Sequence, residues 1–225
     1  MRLIDRSQKR SRMRADPLQN GTILALRTFV PMEVTSLLPL AASVLLGICM
    51  AAACGFRVFL PLFIASLLSY MHIGGVDLRW GFEWMSTLPA VIAFGAATLV
   101  EILGYYIPYV DHLLDVIAVP LASIAGTVVA ASTMAHLPPL WTWSLALIAG
   151  GGLAGLIAGS TATTRLASTA TTGGLGNHAV STAETAGAAA LSLLAWFLPI
   201  IAFVLLALSL WWVLRWFKRR ISPAR

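Results

Sequence analysis

The residues best suited to chemistry are six ionisable side chains that lie within or beside long apolar stretches. They are two arginines and four carboxylates: Arg57, Glu101, Asp111, Asp115, Arg165 and Glu184. A charged side chain is costly in lipid, so such residues face a protein interior or a wet cavity and usually pair with one another. Two interpretations stay open, namely a pathway for a small solute or ion, and a set of structural ion pairs such as Arg57 with Glu101.

The acidic residues also raise the question of a metal. Asp111 and Asp115 are four residues apart and would share one face of a helix. With Glu101 and Glu184 they could offer the oxygen ligands that hard divalent cations prefer. No recognised metal-binding or enzyme motif accompanies them, so we predict no metal site, no cofactor and no enzymatic activity.

The backbone around Arg57 predicts an interrupted helix. Two apolar segments, residues 36–54 and 58–73, are almost contiguous, and Gly55 and Pro61 flank the arginine. A break frees backbone N–H and C=O groups that need polar company at membrane depth. We therefore expect Arg57 and at least one of the four carboxylates to face a common polar interior near this break.

A second irregular stretch follows Arg165. Hydroxyls and glycines there would let the backbone leave the helix, either as an external loop or as a re-entrant element facing a wet cavity. The candidate polar-loop residues are Ser168, Thr169, Thr171, Thr172, Gly173, Gly174 and Asn177. Upstream, Gly151, Gly155 and Gly159 recur every four residues, which predicts a glycine zipper that lets another helix approach closely.

The elements that must position these residues are membrane helices. Hydrophobic residues make up 59% of the chain and charged residues 11%, whereas soluble domains carry roughly 25% charged residues. Because such a chain cannot build a water-facing surface, we expect lipid to surround it. We predict an all-α, polytopic membrane helix bundle of about six segments, with one or two broken or re-entrant helices. The predicted segments are residues 36–54, 58–73, 88–103, 113–135, 141–159 and 186–214. The last exceeds one perpendicular crossing, so either tilt or a break near Pro199 is expected.

The basic residues concentrate in two tails. Residues 1–33 hold seven basic and three acidic groups, and residues 215–225 hold five basic groups. Basic tails beside membrane spans favour the cytoplasmic side. We predict a basic tail with an interfacial helix at residues 1–33, a transmembrane domain at 34–214 and a basic tail at 215–225. Both termini would be cytoplasmic in a multi-pass inner (plasma) membrane protein. Trp80 and Trp84, and the cluster Tyr105, Tyr106 and Tyr109, are expected at the two membrane interfaces.

Several motifs, in order, resemble those of the bacterial membrane family named domain of unknown function 4126. Residues 53–61 (ACGFRVFLP) look like its opening signature. Later matches are residues 88–90, Glu101 with Ile102, residues 107–112 with Asp115, and residues 168–177 with Ser181 and Glu184. The resemblance covers about residues 40–200. It implies a shared membrane fold and site residues, and the family name assigns no activity.

The leading function hypothesis is a small-solute or ion transporter or channel. The two arginines would attract anionic groups or neutralise carboxylates, and the carboxylates would bind cations or relay protons. The alternative is a non-transporting scaffold that binds lipids or protein partners, with its charges closed into structural ion pairs. Expected partners are the lipid bilayer, a small solute or ion, and further copies of the chain. Nucleic acid is not expected, because no basic face or RNA-binding motif accompanies the tails.

Overall fold

The computed structural model describes residues 34–76, 78–79, 81–107, 110–134 and 137–221. The predicted tail at residues 1–33 lies outside the described residues, as do residues 222–225 and the predicted interfacial aromatics Trp80 and Tyr109. Residues 39–225 form one compact unit. Of the other unit, residues 1–38, only the first turn of one helix is described.

Within these ranges the chain is all-α, as predicted, and forms seven helices. They are α1 (Val34–Cys54), α2 (Phe59–Tyr70), α3 (Leu88–Gly104), α4 (Val110–Thr133), α5 (Pro139–Thr172), α6 (Asn177–Phe197) and α7 (Pro199–Ile221). A short 3₁₀ turn at Glu83–Ser86 precedes α3, and α5 includes a π-helical turn at Ala146–Gly151.

The distribution of polar and apolar side chains is that of a protein in lipid. By length and composition, α1, α4 and α5 are long and apolar enough to cross a membrane. On the outside of the bundle, Val116, Ile148 and Leu156 are 74%, 76% and 73% exposed. The interior, by contrast, holds Arg57 and Arg165 at 0% and 2% exposure. An apolar exterior around buried charges suits a lipid solvent and not water.

The helices differ from the predicted segments at two places. The predicted sixth segment is divided between α6 and α7, which meet at Leu198, immediately before Pro199. The predicted fifth segment ends at residue 159, yet α5 continues to Thr172. The hydroxyls there do not interrupt it, because those of Thr163, Thr164 and Thr171 donate to carbonyls four residues earlier. The described chain has seven helices, so six membrane crossings remain a prediction.

The contacts between helices give their directions. Helix α2 runs antiparallel to α3, because Val58 binds Glu101 and Gly95 lies against Phe63, and α4 runs antiparallel to α5. Helix α6 runs parallel to α2, because Arg57 binds Ser181 and Trp196 binds the Ile73 carbonyl.

Gly55 at the end of α1 lies against Ile157, midway along α5, and Gly47, earlier in α1, lies against Thr133 at the end of α4. The connections α1–α2, α3–α4 and α5–α6 therefore all point toward one end of the bundle. We call this the turn end.

The α1–α2 turn nevertheless lies deep in the bundle. A Cβ atom on Gly55 would be 2.5 Å from the Ile157 Cβ and 2.7 Å from the Ala154 carbonyl oxygen, so only glycine fits. These two residues lie at the middle of α5, which has 34 residues. Helix α2 has 12 residues, about 18 Å, which is shorter than a hydrocarbon core of about 30 Å. The hairpin thus carries a helix interruption to the level of the middle of α5, between Gly55 and Pro61 as the sequence predicts.

Two of the three glycines of the predicted zipper, Gly151 and Gly155, lie against α4. A Cβ on Gly151 or Gly155 would collide with the side chain of Thr127 or Ser123 on α4. At Gly159, however, no described atom comes within 4 Å of the Cβ position. Two packed helices are in closest contact over a limited length, and here that length ends before Gly159.

The Ser/Thr-rich stretch forms the end of one helix, a short turn and the start of the next helix. Helix α5 ends at Thr172, and the exposed Gly173 adopts a left-handed φ of 64° that L side chains disfavour. Helix α6 then begins at Asn177. The external loop and the re-entrant element both remain predictions, because this turn is compatible with either position in a membrane.

Candidate functional site

Arg57 lies at the tip of the α1–α2 hairpin and is fully buried. Its Nε donates to Thr185 Oγ1 at 2.8 Å, and its Nη2 donates to the Ser181 carbonyl at 2.8 Å and to Ser181 Oγ at 2.5 Å. The same Nη2 lies 3.7 Å from Glu184 Oε2. Ser181, Glu184 and Thr185 share one face of α6. The α1–α2 hairpin therefore places the positive charge of the Arg57 guanidinium against that face.

Arg165, on α5, binds two carboxylates. Its Nη1 donates to Asp115 Oδ1 at 2.5 Å, and its Nη2 donates to Glu184 Oε2. The single oxygen Oε2 of Glu184 therefore faces both arginines. We call Arg57, Arg165, Asp115 and Glu184 the charged cluster. Its members are at most 11% exposed.

The ring of Tyr105 faces both guanidinium groups. Its centroid lies 4.1 Å from Arg57 Cζ and 3.9 Å from Arg165 Cζ. Such contacts are attractive, and more so when desolvated. The sequence predicts Tyr105 and Tyr106 at a membrane interface but does not predict this contact, in which Tyr105 is buried at 6% exposure. Its spacing of four residues from Glu101 was the available signal, because it puts the two on one helix face.

Glu101 caps α2 and does not pair with Arg57. Its Oε1 accepts from the Val58 N–H at 2.7 Å, and its Oε2 accepts from the Phe59 N–H at 2.9 Å. These are N–H groups that the interruption before α2 leaves without helical partners. The carboxylate also meets the positive end of the α2 dipole. The predicted alternative of an Arg57–Glu101 ion pair is thus replaced by a helix cap.

A second polar layer lies nearer the turn end. The Asn177 amide, at the start of α6, donates to Thr169 Oγ1 at 2.9 Å and to Asp111 Oδ2 at 3.3 Å. Asp111 lies in the first turn of α4, one helical turn from Asp115. Polar groups therefore extend from the deep Arg57 toward the turn end.

The buried charges are compensated in separate groups. Glu101 is matched by the α2 N-terminus, and Asp111 lies in the first turn of α4, where the helix dipole favours an anion. The two remaining carboxylates, Asp115 and Glu184, face the two arginines. The charged cluster is therefore neutral only while both of its acids are ionised.

The cluster retains unused hydrogen-bonding capacity. Among the described residues, two donors, Arg57 Nη1 and Arg165 Nε, are buried without a hydrogen-bond partner. The same holds for two acceptors, Glu184 Oε1 and Asn177 Oδ1. A buried group left in this state costs about 1–3 kcal/mol. The arrangement is thus chemically able to bind a small polar or ionic species.

The other predicted site residues fall outside this centre. Thr171, Thr172 and Gly173 are exposed at the α5–α6 turn, and Ser168 and Gly174 are half-buried there. Within the described part of the chain, no three His, Cys, Asp or Glu side chains come together as metal ligands. The site list from the sequence omitted Tyr105, Ser181 and Thr185. The last two were detectable from their helical spacing with Glu184.

Of the comparisons with known proteins, only the one with family models gives a match. Neither curated proteins nor solved structures include a significant match to this sequence. The model of the family described as domain of unknown function matches residues 44–219, which confirms the resemblance read from the motifs. This range covers most of the chain and every member of the charged cluster, and the chain therefore belongs to the family of domain of unknown function 4126.

Proposed function

We propose that the protein is a small-solute or ion transporter or channel, with the charged cluster as its intramembrane site. The observation that carries this proposal is the position of Arg57. A helix interruption at mid-height of α5 delivers its guanidinium into a buried cluster to which α4, α5 and α6 also contribute. Transporters commonly build substrate sites from interrupted helices near the middle of the membrane.

The energetic cost of the cluster supports the same conclusion. A lone charge at the centre of a membrane helix is penalised by about 2.5–3.5 kcal/mol on insertion scales. Replacing a buried ion pair by apolar residues of similar volume is often neutral or stabilising. The stability of the fold therefore does not require four charged side chains at this place. A binding site for a polar or ionic solute, in contrast, needs charged side chains to bind it.

A second candidate function is a non-transporting membrane scaffold. The ion pairs within the charged cluster favour this function. Each arginine lies within 4 Å of a carboxylate, and every member is at most 11% exposed. In this account the ion pairs fix the relative positions of α2, α4, α5 and α6. The outer surface would then bind lipids or further copies of the chain.

A flux assay separates the two functions. Purified protein is reconstituted into liposomes, and uptake of a panel of labelled ions and small metabolites is compared with uptake into protein-free liposomes. The transporter proposal expects at least one compound to enter faster with protein present, and expects Arg165→Gln to abolish the difference. Unchanged uptake across the panel, from protein that remains folded, would favour the scaffold.

We further propose an inner-membrane location with both termini cytoplasmic, because both tails are basic. Termini on one side require an even number of crossings. Since the described helices number seven, this topology requires that at least one of them, such as the 12-residue α2 or the α6–α7 pair counted as one, does not cross the membrane by itself. The short contact between α4 and α5 at Gly151 and Gly155 is proposed as the packing that holds the bundle closed beneath the site.

A further inference from the structure

The charged cluster suggests which class of solute it takes, if the transport function proposed above is correct. Arg57 and Arg165 converge on one carboxylate oxygen, Glu184 Oε2. Each arginine also has a buried N–H group without a hydrogen-bond partner in the described chain, Arg57 Nη1 and Arg165 Nε. Two guanidinium groups with spare donors form a site for an oxyanion, because their N–H groups match carboxylate-like oxygens.

Glu184 occupies this site as an internal anion. Its Oε2 receives both guanidinium groups, while its Oε1 is buried and has no hydrogen-bond partner among the described residues. A proton arriving from water has a free position at Oε1 and would neutralise the carboxylate without displacing an existing contact. The cluster would then hold two positive charges against the one negative charge of Asp115.

The surroundings of Glu184 are consistent with an exchange of anions. The groups that face it are Arg57 at the hairpin tip, Arg165 on α5, Asp115 on α4, and Tyr105 beyond α3 through its contacts with both arginines. Both arginines stay protonated, because guanidinium does not lose its proton in proteins. The loss of the Glu184 charge therefore leaves a net positive pocket, which favours an anion over a cation.

We propose that a small monovalent oxyanion of carboxylate type binds between Arg57 and Arg165 in place of the Glu184 carboxylate, and that its binding requires a proton on Glu184. One proton and one anion would enter together, and the cluster would keep its net charge. A metal cation is disfavoured in the same place, because both arginines would repel it.

The polar layer lies on the turn-end side of the cluster, which is the side from which an anion would approach. Asn177 and Asp111 form a polar layer outside the cluster. On the other side of Arg57, the end of α1 consists of small apolar residues that are fully buried, such as Ala51, Ala52 and Ala53. A hydrated anion would meet polar groups from the turn end and an apolar barrier from the opposite end.

Formate is a suitable probe, because it reproduces the carboxylate of Glu184. The purified full chain in detergent is titrated with potassium formate, at constant ionic strength set with potassium chloride, and binding is followed by calorimetry. In the wild type we expect formate affinity to fall as the pH rises from about 5 to about 8, by up to about tenfold per pH unit when one proton accompanies one anion. In the Glu184→Ala variant the internal carboxylate is absent. We therefore expect this variant to bind formate more tightly than the wild type, with an affinity that does not depend on pH in this way.

Two further variants keep the test decisive. Glu184→Gln removes the charge with the least change in shape, and it serves if Glu184→Ala does not fold. Glu83→Ala removes an exposed carboxylate and should bind formate as the wild type does. Formate binding that is independent of pH in the wild type, or absent from folded Glu184→Ala and Glu184→Gln, would overturn the anion proposal. Flux of cations alone through the wild type would overturn it too, while leaving the transport function intact.

Discussion

Arg57 and Arg165 lie on different helical hairpins, and both face one oxygen atom, Oε2 of Glu184. Both also lie over the Tyr105 ring, at 4.1 and 3.9 Å from its centroid. Two guanidinium groups held this close repel one another unless an anion lies between them. The Glu184 carboxylate supplies that anion, so the position of α6 and the position of the α1–α2 hairpin depend on each other.

Removal of Arg57 should therefore destabilise the fold. We expect Arg57→Gln to lower the free energy of unfolding by about 3–5 kcal/mol, the usual effect of breaking a buried ion pair. Arg215→Gln is the matched control, because Arg215 is exposed and lies over the Trp211 ring at 5.1 Å. Denaturant unfolding in detergent measures both. Equal stabilities for the two variants would mean that Arg57 contributes nothing through its buried contacts.

The Glu101 cap leads to a local prediction. Glu101→Gln should weaken the start of α2, since a carboxamide has one acceptor oxygen for two N–H groups and turns an NH₂ group toward the other. Loss of a cap typically costs about 0.5–2 kcal/mol. Hydrogen exchange at Val58 and Phe59 should become faster, while exchange within α4 stays unchanged. Glu83→Gln, which alters an exposed carboxylate bound to the Gly81 N–H at 2.8 Å, is the control. Unaltered exchange at Val58 and Phe59 would contradict the capping role.

Two glycines of the predicted zipper should behave differently. A methyl group at position 155 would collide with the Ser123 hydroxyl, so we expect Gly155→Ala to destabilise the bundle by about 1–3 kcal/mol, as overpacking does. At Gly159, by contrast, no described atom lies within 4 Å of the position that a Cβ would take. Gly159→Ala should therefore be neutral or stabilising by up to about 1 kcal/mol, the gain in helix propensity. Thermal unfolding in detergent distinguishes them. A common response would show that α4 and α5 do not meet as described.

Topology can be tested independently of the site. Reporter fusions that are active only in the cytoplasm or only in the periplasm are placed after residue 225 and after residue 175, in the α5–α6 turn. We expect a cytoplasmic signal at 225, because five basic residues follow position 214. A periplasmic signal at 225 would contradict the predicted cytoplasmic C-terminus.

The sequence predicted a feature correctly where a residue type restricts the backbone or the surroundings strongly. The break near Arg57 was predictable, because Gly55 and Pro61 flank a charge between two apolar segments. The end of α5 was not, because threonine hydroxyls satisfy carbonyls within the helix and so do not terminate it. The presence of polar groups near Arg57 followed from the cost of a buried charge.

The pairing within the cluster was beyond what sequence could give. Whether Arg57 meets Glu101 or Glu184 depends on the depth to which the hairpin inserts, and that depth is set by the contact of Gly55 with Ile157. The contacts of Tyr105 with the two arginines were beyond the sequence for a similar reason. Aromatic residues near a segment end favour an interface, but its ring is turned inward by two arginines that come from distant parts of the chain.

The most direct test of the central claim is the initial rate of uptake into liposomes by the Arg57→Lys and Arg165→Lys variants. Each keeps the positive charge but loses the planar set of donors that reaches Ser181 and Thr185 in one case, and Asp115 and Glu184 in the other. For the compound that the wild type transports fastest, we predict a rate per protein lower by about tenfold or more, which corresponds to the loss of one charged hydrogen bond of about 1.5–3 kcal/mol. Wild-type rates in both variants, measured on protein of equal thermal stability, would contradict a transport role for the charged cluster.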